Sequence, residues 1–143
     1  MKIIEYKKYI TSAVTKDLRE VEGVELCTLG DTTFFVIPGT ALPTGQAAEI
    51  QSTIKATTMT DALNDQIRAI SPHCLLIAAR QRQKLAEAGY SAADTEFFLH
   101  LGIAAQIGVV TLNAKLTKRI TDYMNAFKQA YIWGEKQYAD LGL

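Results

Sequence analysis

Two histidines, two cysteines and fifteen acidic residues are the reactive stock of this 143-residue chain. A metal site needs three or four His, Cys, Asp or Glu donors at short spacing. Glu96 and His100 stand four apart and would share a helix face, but no third donor accompanies them. His73 and Cys74 are adjacent, so on a helix they diverge by about 100°. Nucleophilic catalysis would place Cys27, Cys74 or a serine beside a histidine. No Gly-x-Ser-x-Gly elbow is present, and the glycine-bearing PGTALPTG (38–45) lacks the Gly-Lys-Ser/Thr ending of a phosphate loop. Asp61 and Asp65 share a helical face, which reads as a solvated face rather than an acid–base pair. The two cysteines fit neither zinc nor redox spacing and sit among apolar neighbours. Two buried free thiols in a reducing compartment is the reading, with a disulfide between them the alternative. The residues therefore supply no catalytic, cofactor or metal site, and the expectation is a protein that is not an enzyme.

Charge adds little direction. Fifteen basic residues balance fifteen acidic ones, so no global field selects nucleic acid or an anionic membrane. The longest apolar stretch, Phe97 to Val110, is too short for a bilayer span of about 20 residues and contains His100 and Gln106. It is expected to be a core helix of a soluble, cytoplasmic protein. The N-terminus, with charges among its apolar residues and no small-residue cleavage site, does not read as a signal peptide.

One local cluster is basic: Arg80, Arg82 and Lys84 in RQRQK. It precedes KLAEAGYSAADTEFFL, which has the outline of a helix–turn–helix. The turn is one residue short of the usual spacing, and the second helix offers Asp94 and Glu96 where a reading helix needs Arg, Lys, Asn or Gln. Nucleic-acid binding through Arg80, Arg82 and Lys84 is thus the alternative to a solvated helix face. The segment ISPHCLLIAARQRQKLAEAGYSAADTEFF (70–98) resembles helix–turn–helix segments of small phage- or prophage-encoded accessory proteins. The likeness rests on its Ser-Pro start, Arg-bearing helix and tyrosine–serine–acid turn. It implies a phage or mobile-element origin and carries over no functional residue.

The elements that would position these residues follow from periodicity. Ile3, Tyr6, Ile10, Val14, Leu18 and Val21 recur at three- and four-residue steps and predict a helix over 4–22, stopped by Gly23. A short strand at 2–6 is the competing reading. VELCTLGDTTFFVI then predicts a β-hairpin turning at Gly30-Asp31. Both faces of its second strand are apolar, so it must be covered on both sides or meet a partner. After the connector at 38–46 the chain reads as helical to its end. A helix with Ile50 and Ile54 breaks near Met59, and another resumes at Asp61. A third starts at Ser71-Pro72 and closes at Gly89. A fourth opens on a Ser91/Asp94 capping box, and the last is capped by Asn113.

That last helix carries Leu116, Ile120, Tyr123, Phe127, Tyr131, Gly134, Tyr138 and Leu141 at steps of three and four. From Asn113 to Asp140 it would run about 42 Å, as long as a compact domain of this size is wide. Its aromatic residues Tyr123, Phe127, Tyr131 and Tyr138, with Trp133 beside them, read either as core or as interface anchors. The expectation is an α+β fold, mostly α, forming a single domain over 1–143. An N-terminal helix and β-hairpin occupy 1–38, and a bundle of four to five helices occupies 46–143. The expected function is non-catalytic protein–protein interaction, in an assembly, adaptor or inhibitor role. The partner would be another protein, a second copy of the chain, or both, without cofactor or membrane.

Overall fold

The computed structural model describes residues 1–143. The chain forms two compact units, one of Met1–Leu76 with Tyr138–Leu143, the other of Ile77–Gln137. Strands come first and helices after, with about half the chain helical.

The N-terminal helix expected over 4–22 is absent. Residues 2–16 instead form β1 (Lys2–Tyr6), β2 (Tyr9–Ile10) and β3 (Thr15–Lys16). The sheet is larger than a hairpin: β4 (Val24–Leu29), β5 (Thr32–Ile37) and β6 (Lys55–Ala56) join β1 in the antiparallel order β4-β5-β1-β6, and β2 pairs with β3 separately. The helix expected around Ile50 and Ile54 shrinks to α1 (Ala48–Gln51) before the chain returns to the sheet as β6. The second helix is cut short because Lys55 and Ala56, both exposed, pair with Glu5 and Ile4 on the edge of β1. β1 pairs Ile3 with Val36 and Ile4 with Phe35 of β5, and it buries Ile3 on one face and Ile4 and Tyr6 on the other. Such a strand shows no alternation, and its β-branched residues imitate helical spacing when read locally.

One face of the sheet packs Ile3, Cys27, Phe34 and Val36, with Leu26 of the bulged strand, against Ile67 of α2 (Asp61–Ile70), joined by Leu63 and the chain-terminal Leu141 and Leu143. On the other, Ile4, Tyr6, Thr33 and Ile37 are buried. Gly30 turns the hairpin at φ +62°. Gly23, at φ +149°, leads into β4 so closely that a Cβ there would fall 2.0 Å from the carbonyl oxygen of Val36.

The second unit is built from the greater part of α3 (Pro72–Glu87), from α4 (Ala92–Gln106), and from α5 (Ala114–Asp140) as far as Gln137. The boundaries are chemical. At the end of α3, Gly89 takes φ +90°, Tyr90 N–H donates to Leu85 O (2.9 Å) and Gly89 N–H to Ala86 O (2.9 Å), a Schellman closure. Ser91 Oγ accepts from Asp94 N–H at 3.1 Å while Asp94 accepts from Ser91 N–H at 2.9 Å, the reciprocal capping box. Asn113 Oδ1 accepts from Leu116 N–H at 2.9 Å and opens α5. The core is small: Leu85, Phe98, Tyr123 and Ala130, flanked by Tyr90, Ile120 and Ala126. Phe98 stacks on Tyr123 with centroids 5.1 Å apart, and Tyr90 meets both edge-on. No helix is long and apolar enough to cross a membrane.

Candidate protein-interaction surface

α4 is where sequence and structure diverge most usefully. From Phe97 to Val110 it and the following turn contain no Asp, Glu, Lys or Arg, and a helix that is apolar all round belongs in a core. Yet within α4 only Phe98 is buried, while Phe97, Leu99 and Ile103 are exposed by about half. The expected core helix is thus half uncovered, because α3 and α5 are too few to surround it. Leu99, Gly102, Ile103 and Gln106 of α4 meet Ile120, Met124 and Phe127 of α5 along a groove of about 400 Å³, floored by Phe98 and Tyr123. Tyr131 extends it, stacking on Phe127 at 6.2 Å.

The residues lining this groove include no Asp, Glu, Lys or Arg, and Glu96 of α4 and Lys128 of α5 stand at its margins. At 100° per residue, Ile120, Met124, Phe127 and Tyr131 fall on one side of α5, and Lys118 and Asp122 fall roughly opposite, paired with each other at 2.6 Å. Exposed apolar side chains scattered singly are ordinary; a contiguous, uncharged set marks an interaction site.

Two glycines in the helices have different explanations. A Cβ on Gly134 would lie 1.9 Å from Gln81 Nε2, so the glycine leaves the space that the Gln81 side chain occupies between α3 and α5. The Gln81 amide donates to Ala130 O at 3.4 Å across that contact. A Cβ on Gly102 would meet nothing within 4 Å. A helix-interior glycine costs about 1 kcal/mol relative to alanine, and nothing inside this chain accounts for Gly102.

The aromatic stripe of α5 separates into three environments. Tyr123 is core of the second unit; Tyr138 is buried in the first, its hydroxyl donating to Cys74 O at 3.4 Å and its ring under the Arg68 guanidinium at 4.1 Å. Phe127 and Tyr131 are exposed. Trp133 lies elsewhere, its ring 5.0 Å from Lys84 Nζ in a shallow hollow with Arg80 and Glu87. Arg80 and Lys84 share one face of α3, whereas Arg82 lines a different hollow with Tyr90 and Thr95. The three basic residues therefore do not converge, and the helix after the turn presents Leu99 and Ile103 instead of base-reading groups. Sequence reasoning missed Leu99, Gly102, Ile103 and Met124. The signal was there: from Phe97 onward α4 carries no charged side chain.

Other reactive groups are accounted for structurally. Cys27 and Cys74 are free and buried, and burial pushes both thiols up, away from the reactive thiolate. No group of three or more His, Cys, Asp or Glu side chains is arranged to hold a metal ion. The densest polar cluster ties the β2–β3 segment to the sheet. The Tyr6 hydroxyl donates to Asp17, Asp17 also accepts from Leu18 N–H at 2.8 Å, and Lys8 Nζ bridges Asp17 (3.0 Å) and Glu25 (2.7 Å). Burial would raise the Asp17 carboxyl, but hydrogen bonds from Tyr6, Lys8 and Leu18 outweigh it and hold the group low. Burial, reinforced by Asp17, raises Tyr6 above the ordinary phenol range. The cluster is a tether.

Comparison with protein-family models, curated proteins and solved structures returns no match for this chain.

Proposed function

We propose that this chain is a non-catalytic protein-interaction protein, acting in an assembly, adaptor or inhibitor role, and that the α4–α5 face is its working surface. The observation that carries the reading is the uncharged run from Phe97 to Val110, held on a well-capped helix yet buried within α4 only at Phe98. Leaving that surface in water forgoes about 25 cal/mol for each Å² that a partner would cover. Phe127, Tyr131 and Met124 supply the aromatic and methionine anchors that interfaces favour. The two unpaired buried thiols accord with a reducing, cytoplasmic setting.

The test is a photoreactive side chain placed at position 103 or 127 in living cells, with position 82 as the control. Face-specific protein cross-links at 103 and 127, absent at 82, are expected. Cross-linking no better than the control at both positions would overturn the reading.

A further inference from the structure

We infer that the occupant of the α4–α5 face is a second copy of this chain, packed face to face about a twofold axis; the inference rests on the reading of that face as an interaction surface. Three observations support it, and the first is area. Leu99, Ile103, Met124, Phe127 and Tyr131 are between 40% and 59% exposed, and Ile107, next on the row of Leu99 and Ile103, is 69% exposed. At about 200 Å² for a fully exposed large side chain, these six offer roughly 600 Å² per copy, about 1,200 Å² for a pair, at the lower end of stable interfaces.

The second is charge. A basic or acidic partner would be met by opposite charge, and the residues lining this groove include none, with Glu96 and Lys128 only at its margins. Its complement is an equally uncharged helical surface of the same period, which the chain itself provides. Isologous contact satisfies both copies at once.

The third is Gly102. It lines the groove, has open space where a Cβ would stand, and serves no contact within its own chain. Glycine at a helix surface leaves room for a neighbouring element, as Gly134 does internally for the Gln81 side chain. A second copy crossing at Gly102 gives this glycine its reason.

Sedimentation of the full chain, with Ile103→Lys and Met124→Lys as variants, tests the inference. Both positions are about half exposed, so lysine is tolerated in the single chain, and circular dichroism checks that the fold is kept. The wild type is expected at twice 15.7 kDa, with a dissociation constant below about 10 µM. Each variant is expected to weaken association at least about 30-fold. A wild type of 15.7 kDa at about 100 µM, or folded variants that associate as tightly as wild type, would overturn it. A monomeric wild type whose position 103 still cross-links to a different protein in cells removes the second copy and leaves the interaction reading standing. A monomer with no face-specific cross-link removes both.

Discussion

Replacing Gly102 by glutamine separates what the single chain needs from what a partner needs. Within the chain the new side chain meets open space, so the only local effect is helical propensity. Glutamine recovers most of the roughly 1 kcal/mol that glycine costs in a helix interior. For a chain of this size that gain raises the melting temperature by about 3–5 °C. In the pair, the same side chain stands where the second backbone must pass and blocks it. Association adds stability by mass action, on the order of 1 kcal/mol for each tenfold rise in concentration above the dissociation constant. Thermal melts followed by circular dichroism over a hundredfold dilution range, about 1 to 100 µM, read both effects. The wild-type melting temperature should climb with concentration. The variant's should be higher at the dilute limit and flat thereafter, so the two curves cross. A variant less stable than wild type at the dilute limit would show that the chain's own packing requires Gly102. A variant with the wild-type concentration dependence would show that no backbone approaches there.

Further outcomes concern the sheet that anchors the first unit. Gly23→Ala puts a methyl 2.0 Å from Val36 O, a backbone atom, at φ +149°, and should cost at least about 3 kcal/mol in urea unfolding. A loss under about 1 kcal/mol would mean that β4 and β5 part easily. Tyr6→Phe removes the hydroxyl donated to Asp17 and should cost about 2 kcal/mol, the worth of a hydrogen bond to a charged group. The same cluster sets the pH limits. Asp17 titrates below its usual 3.8, so its contribution is present above that pH and is lost as pH falls through the lowered value. Tyr6 is raised above 10.0, so its contribution is complete below that pH and is lost as pH rises through the raised value. Asp17→Asn should flatten the acid limb of a stability–pH profile; an unchanged acid limb would assign acid sensitivity to other carboxylates.

What the sequence disclosed and what it hid divide along the range of the interactions. The caps at Ser91, Asn113 and Gly89 are contacts within a few residues, and they mark the starts of α4 and α5 and the end of α3. The turn at Gly30-Asp31 is equally local. β1 is legible only as the competing reading, a strand at 2–6, because its partner β5 lies some thirty residues away and burial on both faces erases the alternation that would name it a strand. β6 is two residues long and exists only because β1 offers an edge. The α5 stripe was legible as a seam, but spacing alone could not divide it into Tyr123 in one core, Tyr138 in another, and Phe127 and Tyr131 in the open. The apolar run of α4 was legible too. Its exposure was not, since that depends on how many elements surround it.

Amide hydrogen exchange, compared between concentrated and dilute protein, locates the surface directly. Concentrating the chain should slow exchange in 97–107 and 120–131 and leave the sheet strands and α2 unchanged. Protection that rises instead along β4, or nowhere, would contradict the assignment of the α4–α5 face.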